Sequence, residues 1–593
     1  EQALRGGSDG AVTELLAVRL AWEVALLELF DARGLDRAWL IARARIAAPR
    51  AATPAEAALA VDLVLHAAYE KARQEELFGA IGARPARPAR PDRPAVQAAF
   101  CIDVRAEVYR RALEGVAPGV ETIGFAGFFG FPIELVPLGE GAGGAQCPAL
   151  IAPRAVIAEE VPGAAHAGAW RRIRRQARRV WKGFKSGAVS CFSFVGPLGL
   201  LYAPKLVTDA LGVTRPVPHR GSADLRRAWR ARRRPSVTPA TVDGRAVGLP
   251  LEAQVELAAG ALRGMGLTQR AARLVLLAGH GARAVNNPHA AGLQCGACGG
   301  HSGDANARVA AAVLNDPEVR AALRVRGITL PADTVFVPGL HDTTTDEVTL
   351  FDLDQVPATH RDELARLERQ LAEAGARSRA FRAPRLGLDA GEPVDAAVRA
   401  RSRDWSEVRP EWGLAGCAAF IAAPWRSTAG LELGGRAFLH TYEHREDAGH
   451  RVLELILTAP VVVASWISLQ YYGSAVAPRV FGSGNKTLHN VVGTVGVLEG
   501  NGGDLRVGLP WQSVHDGERL AHDPVRLTVV VAAPCEAMNE VIARHEHLRH
   551  LLDHGWLHLY AMDDEGTVTH RYTGGCTWQE VAGATASEEE LAA

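Results

Sequence analysis

At 593 residues, 48% of them apolar and with a mean hydropathy near zero, the chain is several times the usual domain length and can bury a large core. Its 66 basic side chains balance 66 acidic ones, which argues against a chain that as a whole binds nucleic acid through charge. Eight cysteines are too sparse for a disulfide framework and imply a reducing, cytoplasmic setting, where a cysteine beside other ligand types points to metal or catalysis.

The chain opens Glu-Gln-Ala-Leu, with no Met and no signal-peptide pattern, so it is expected to start inside a longer gene product. Residues 1–84 read as an N-terminal helical region, in which Leu15, Leu16, Val18, Leu20, Val24, Leu26, Leu27 and Leu29 recur at amphipathic spacing. Residues 85–94 are a polyproline-type connector that no helix crosses. Residues 95–350 are expected to form the first part of an α/β core. Its strands fall at 96–102, ending in Asp103-Val104-Arg105, at 273–281, ending in Gly279-His280-Gly281, and at 334–338, leading into His341-Asp342 and Asp346.

A helix is expected over 304–314. Residues 351–410 hold another over 361–374, and then an Arg-, Pro- and Gly-rich linker or exposed loop over 380–405. Residues 411–593 read as a C-terminal α/β part packing on the same core, with strands at 418–422, 527–532 and 556–561 and a helix over 536–554. The alternation argues an α/β protein with a mostly parallel sheet, and no internal repeat is visible. In such sheets ligands sit beyond the carboxyl ends of the strands, where the three polar clusters fall.

Some stretches admit two readings. Residues 455–478 are uncharged and long enough to span a bilayer, but Pro460, Gln470 and Tyr471-Tyr472-Gly473-Ser474 favour a buried core helix. Residues 170–184 place Trp170, Ile173, Ala177, Val180, Trp181 and Phe184 at helical spacing among six arginines, and a second basic run covers 226–234. That is either a solvated helix packed on the core or a contact with anionic lipid or a membrane partner; no nucleic-acid motif accompanies it. Gly482-Ser-Gly-Asn-Lys486-Thr487 lacks the spacing of a phosphate loop.

The chemistry concentrates in Cys101-Ile102-Asp103-Val104-Arg105. On an extended segment Cys101 and Asp103 point to one side, and Arg105 on that side can clamp Asp103 through a bidentate pair. His280 lies between glycines, and Cys295 lies in the glycine-rich turn Cys295-Gly-Ala-Cys-Gly-Gly300. Two thiolates, an imidazole and a carboxylate suit tetrahedral Zn²⁺. The same residues also fit a buried apolar cysteine, a helix-capping aspartate and a loop histidine. Cys298 forms a Cys-x-x-Cys with Cys295 without a second such pair. His289, His301, His341, Asp342 and Asp346 are candidates for orienting ligands or passing protons, or are ordinary polar turn residues.

The C-x-D-x-R segment with distant His and Cys resembles β-type carbonic anhydrases. A closer resemblance, to the DabA family, runs from about residue 95 to residue 580. It is carried by Phe100-Cys-Ile-Asp-Val-Arg105, Gly279-His-Gly281, Asn286-Asn-Pro288, Cys295-Gly-Ala-Cys-Gly-Gly300, Glu411-Trp-Gly-Leu-Ala-Gly416, Gly482-Ser-Gly-Asn-Lys-Thr487, His489-Asn-Val-Val492, Glu499-Gly-Asn-Gly-Gly-Asp504 and Gly508-Leu-Pro-Trp-Gln512. Gln294 departs from it, standing where an acidic residue is expected beside the ligand cysteine.

The resemblance implies a β-carbonic-anhydrase-like core elaborated by helices, with Cys101, Asp103, His280 and Cys295 as Zn²⁺ ligands and Arg105 as the partner of Asp103. It implies a carbonic-anhydrase-like subunit of an energy-coupled inorganic carbon transporter. This would hydrate CO₂ to bicarbonate vectorially with an ion-translocating membrane subunit, DabB, while sitting peripherally on the cytoplasmic face of the cell membrane. By the β-anhydrase likeness Arg105 draws Asp103 off the metal, and water with its pKa lowered toward roughly 7 takes the vacated position. Two other readings stand beside it: a structural zinc in a non-catalytic gate or scaffold, and a stand-alone soluble anhydrase.

Overall fold

The computed structural model describes residues 11–31, 34–47, 54–83, 92–211, 225–242, 244–285, 287–388, 391, 393–492 and 495–581. It divides into two compact units, residues 1–72 and 73–593. In the first, apolar spacing produces helices α1 (Ala11–Asp31), α2 (Leu35–Ala47) and the start of α3 (Pro54–Gly82). These leave Leu15, Trp22, Leu26, Trp39 and Leu63 exposed. Residues 85–91 of the proline connector expected over 85–94 lie outside the described residues.

The second unit is built on two sheets. Strands β1 (Val96–Cys101), β2 (Val120–Phe125), β3 (Leu274–Gly281) and β4 (Val335–Asp342) are parallel, and β5 (Glu347–Leu350) is antiparallel, in the order β5-β4-β3-β1-β2. The apolar runs over 96–102 and 273–281 make strands because both their faces are covered, and every residue of β1 and β3 is buried. The second sheet holds β6 (Ala419–Ala423), β7 (Ala437–Thr441), β8 (Thr528–Val531), β9 (His558–Met562), β10 (Val568–Gly574) and β11 (Thr577–Glu580), in the order β7-β6-β8-β9-β10-β11. Strands β6 to β9 are parallel, while β10 and β11 are antiparallel.

The two sheets repeat one plan. In each the first strand lies between the second and the third, the fourth follows the third, and an antiparallel strand follows the fourth. No repeat is visible in the sequence, because strand order leaves no trace in residue identity. The two edge strands meet: the Gly124 N–H donates to Thr441 Oγ1 at 3.0 Å, and the Arg110 guanidinium donates to the Leu439 carbonyl at 3.0 Å. A Cβ at position 124 would stand 1.7 Å from that carbonyl oxygen, so only glycine fits.

Helix α4 (Val104–Val116) follows β1 directly, α5 (Ala167–Ser186) is the basic stretch, and α6 (Ser190–Leu198) and α7 (Ala203–Ala210) continue from it. The expected helix over 304–314 is α8 (Asp304–Asn315), and that over 361–374 continues to Arg382 as α9 (Arg361–Arg382). The loop expected over 380–405 instead contains a 3₁₀ turn, Pro384–Leu386, and a helix, Val394–Arg401, which anchors through buried Val398. The helix expected over 536–554 is two, Cys535–Arg544 and Glu546–Asp553, divided at His545, whose backbone is extended. A smaller four-stranded sheet of Ile133–Val136, Gly144–Gln146, Ala155–Glu160 and Arg234–Ser236 was not foreseen from sequence.

The uncharged stretch over 455–478 forms α10 (Arg451–Thr458) and α11 (Pro460–Val476), meeting at Ala459 and Pro460. Val461, Ala464 and Tyr471 enter the core that also holds Cys101 and Cys295. Leu455, Trp466 and Val476 stay exposed. By length and composition 190–210 and 451–476 are the two stretches, among the described residues, that could cross a membrane.

Candidate metal centre

The connection from β1 runs to β2 on one side, and that from β3 runs to β4 on the other, so the gap between β1 and β3 is a topological switch point, where such sheets bind ligands. Cys101 ends β1 and His280 lies at the end of β3. Cys295 arrives on the turn after β3, where its N–H donates to the His301 carbonyl at 3.1 Å and its carbonyl accepts from Cys298 and Gly300. Gly279 lets that turn close onto the strand, because a Cβ there would stand 2.3 Å from the Gly303 oxygen.

The ligand atoms of Cys101, His280 and Cys295 all lie within 4.8 Å of one another, and all three residues are buried. The two sulfurs are 3.9 Å apart. Two thiolates on one tetrahedral zinc, each about 2.3 Å away, stand about 3.8 Å apart. Neither nitrogen of the buried His280 ring has a hydrogen-bond partner, a cost that a ligand would relieve. A Cβ at Gly127 would stand 2.7 Å from Cys295 Sγ and 2.9 Å from Cys101 Sγ, so glycine there keeps the space beside both sulfurs open. Donor chemistry, orphaned imidazole and cleared cradle all fit a zinc ion.

Asp103 stands outside this triad, its Oδ2 3.5 Å from His280 Nε2. It is the N-cap of α4, and its Oδ1 accepts from the Arg105 backbone N–H at 3.0 Å. The expectation of one extended segment through Arg105 is therefore corrected. The chain turns helical at Val104, and Arg105 reaches Asp103 from the first helical turn. The clamp forms all the same: Arg105 Nε donates to Oδ1 at 2.8 Å and Nη2 to Oδ2 at 2.9 Å. Burial pushes the Asp103 carboxyl up, but the adjacent guanidinium outweighs it and holds the group below the usual carboxylate range. The two thiols move the other way: Cys101 is raised first by its contact with Cys295, and Cys295 first by burial.

Arg105 has a second anchor. Its Nη1 donates to Glu411 Oε1 at 3.2 Å, to Thr343 Oγ1 at 2.9 Å and to the Leu293 carbonyl at 2.9 Å. The same Glu411 oxygen accepts from the hydroxyls of Thr343 at 3.1 Å and Thr344 at 3.2 Å. Glu411, Thr343, Thr344 and Gly127 were not singled out for a role from sequence. Glu411 headed a motif stretch and the threonines lay in a strand-end cluster, whereas Gly127 carried no signal.

The remaining candidates lie elsewhere. Cys298 is buried beside the site but outside the triad. His341 is the register neighbour of His280, yet its Nε2 faces Asp346 Oδ1 at 3.2 Å, and Arg382 holds that carboxylate. Asp342 accepts from the N–H groups of Thr344 and Arg283. His289 Nε2 pairs with Ser483 Oγ at 3.2 Å, and burial and the neighbouring His489 push its pKa down to about 4. His301 serves through its carbonyl. Gln294, the departure from the resemblance, hydrogen-bonds the backbone of Ala282 from both ends of its amide and ties the cysteine turn to the end of β3. Asn286 lies outside the described residues.

In the second sheet the equivalent gap, between the ends of β6 and β8, is bordered by Ala422, Ala423 and Pro424 and by Ala532, Ala533 and Pro534, none of which offers a ligand side chain.

Comparison with known proteins agrees on the family. The family model described as "Probable inorganic carbon transporter subunit DabA" matches residues 1–557. A protein of that name from Roseiflexus castenholzii is 58% identical over 584 residues, covering 98% of this chain and 69% of the relative. One from Chloroflexus aggregans is 57% identical over 587 residues, covering 98% and 70%, and a "Probable inorganic carbon transporter subunit DabA 2" from a Bradyrhizobium species is 56% identical over 574 residues, covering 95% and 68%. No solved structure matches the chain. Matched over nearly its whole length and at this level of identity, the chain belongs to the DabA family of inorganic carbon transporter subunits.

Proposed function

We propose that this subunit hydrates CO₂ to bicarbonate at a Zn²⁺ site within a β-carbonic-anhydrase-like core. Cys101, His280 and Cys295 would hold the ion, and Asp103 would be the fourth ligand of a closed state. The observation that carries the reading is the position of Asp103, within 3.5 Å of His280 but held in a bidentate pair by Arg105. Three protein ligands with a withheld fourth describe a catalytic zinc site, whereas a structural site is closed by four.

A zinc ion there would supply a water whose pKa is lowered toward roughly 7, a nucleophile for CO₂. The chain's own residues govern access to it. Arg105 withdraws Asp103 and leaves room beside the triad. Glu411, Thr343 and Leu293 hold the far side of the same guanidinium, so the clamp keeps its position. Gly127 keeps the sulfur side clear. Asp103 Oδ2, facing His280, can accept a hydrogen bond from the reacting water.

In this reading the subunit works on the cytoplasmic face of the cell membrane with a DabB-like ion-translocating partner, which would make hydration vectorial. The exposed apolar stretch over 190–210 supports a peripheral membrane placement. The deciding experiment is growth in air of an anhydrase-deficient strain carrying this chain with its membrane partner, compared with the Arg105→Ala variant. Rescue by wild type and its loss in a zinc-loaded Arg105→Ala protein is expected; a variant that binds zinc and still supports carbon accumulation overturns the gate.

One observation favours a second reading, a structural zinc in a scaffold subunit. All three triad residues are buried, and two cavities, lined by Arg93, Val96, Arg273 and Glu363 and by Glu160, Arg234, Phe336 and Asp352, do not include them. Equal rescue by wild type and by Asp103→Ala would select it.

A further inference from the structure

The polar face of α5 is unusual: its 20 residues carry eight basic side chains and no acidic one, in a chain whose charges balance overall. Its first turns are tied down, with the buried Arg171 donating to the Leu138 carbonyl at 2.8 Å and Arg175 pairing with Glu140 at 2.6 Å. Beyond that point the helix leaves the body of the protein, and Val180 is 73% exposed.

The segment after α5 buries nothing. None of the side chains of α6, the 3₁₀ turn Gly199–Tyr202 or α7 is buried. Phe192, Leu200 and Leu206 are 78%, 83% and 74% exposed. Residues 190–211 carry two charges, Lys205 and Asp209, which neutralise each other at 2.8 Å. The segment nevertheless has a defined shape, because an aromatic clip closes it. Phe194 meets Trp181, Phe184 and Tyr202 edge-on at 5.8, 6.2 and 5.3 Å, with Lys185 over the Phe194 and Tyr202 rings.

A protein groove covers one face of a helix, but here the apolar side chains look outward all round, as lipid requires and water penalises. Residues 190–210 run on as one helical stretch long enough to cross a membrane, but Pro197, Lys205 and Asp209 lie within it and the aromatic clip ties it to α5, which favours a position at the surface. A basic, aromatic-bearing helix leading into an exposed apolar helical segment fits the boundary between anionic headgroups and acyl chains.

We propose that residues 167–211 are a monotopic anchor that inserts its apolar helical segment into the surface of an anionic bilayer and lays α5 among the headgroups. This rests on the peripheral membrane placement proposed above, but not on the zinc chemistry. It differs from that placement in making the lipid itself, rather than a membrane protein, the partner of this segment.

The test is flotation of the full chain with protein-free vesicles of phosphatidylcholine alone, or mixed about two to one with phosphatidylglycerol. Binding to the mixed vesicles, weakened by salt, is expected. The triple variant Arg174→Glu, Arg179→Glu, Lys182→Glu should weaken it about a hundredfold, and Phe192→Asp with Leu200→Asp at least about tenfold. These side chains are exposed, so the variants should keep the melting temperature of the wild type. Brominated lipid should quench fluorescence that is lost in Trp181→Phe, placing the clip at the acyl boundary. Absence of vesicle binding with retained binding to native membranes overturns lipid insertion in favour of a protein partner and leaves peripheral placement standing. Absence of both overturns both.

Discussion

Arg105 binds two carboxylates at once: it holds Asp103 through two hydrogen bonds of 2.8 and 2.9 Å and reaches Glu411 at 3.2 Å with its remaining nitrogen. Burial alone would lower the pKa of this guanidinium, but the two carboxylates raise it above its ordinary value, so it is a fixed positive charge. A fixed charge between two buried anions is anchored at two places, and its removal should be felt at both.

Arg105→Ala should leave the Asp103 carboxylate buried without its counter-charge and cost about 3–5 kcal/mol of stability. Zinc should restore part of that loss, because the freed carboxylate can then join the triad. Melting curves with and without zinc, with X-ray absorption at the zinc edge to count light-atom ligands, check this. A variant whose zinc environment equals that of wild type would contradict it.

Cys101→Ser, His280→Ala and Cys295→Ser should each reduce zinc content from about one ion per chain to a small fraction. Cys298→Ser should not. Elemental analysis after dialysis against a weak chelator measures all four, and equal loss in Cys298→Ser would redraw the ligand set.

Gly127→Ala places a methyl group 2.7 Å and 2.9 Å from the two sulfurs, against a backbone and neighbours that must shift to admit it. It should weaken zinc binding and cost about 1–3 kcal/mol. Gly124→Ala clashes instead with the Leu439 carbonyl and should destabilise the packing of the two sheets, while the folded fraction keeps its zinc. The contrast between the two variants in metal content per folded chain is the measurement.

Glu411→Ala removes the acceptor shared by Arg105, Thr343 and Thr344 and leaves three donors to find new partners. Its cost should be about 3 kcal/mol, and Glu411→Gln, which keeps the oxygen, should lose less. If both variants melt like wild type, the second anchor is not structural.

Buried His440, against Phe125 and Phe420, has its pKa pushed down to about 4, chiefly by burial. The unfolded chain takes up this proton below about 6.5 and the folded chain only below about 4. The unfolded state thus binds more protons in that window, so stability is fully present above pH 6.5 and falls, by about 3 kcal/mol, as pH drops toward 4. His440→Gln should flatten the denaturation midpoint across this range.

The apolar runs at 96–102, 273–281 and 418–422 were legible as strands because a fully buried parallel strand must be apolar on both faces. Cys101, His280 and Cys295 were legible because thiol and imidazole beside glycine-rich strand ends form an unusual combination. Asp103 and Arg105 were legible as a pair, but not with their geometry, since the same five residues suit an extended segment or a strand running into a capped helix. Glu411 stayed without a role, because 306 residues separate it from Arg105 and no local pattern records a contact at that distance.

By itself the sequence offered the candidate donors, the parallel α/β character and the basic helix at 170–184, through side-chain chemistry, short-range periodicity and family motifs. Tertiary structure alone decided that Asp103 stands off the triad, that Gly127 faces both sulfurs, and that two sheets of one strand order meet edge to edge with the candidate donors at a single switch point. Those are relations between segments hundreds of residues apart, and the physical cause is packing: which backbone approaches which, and which buried charge finds its partner, is settled only when the whole core closes.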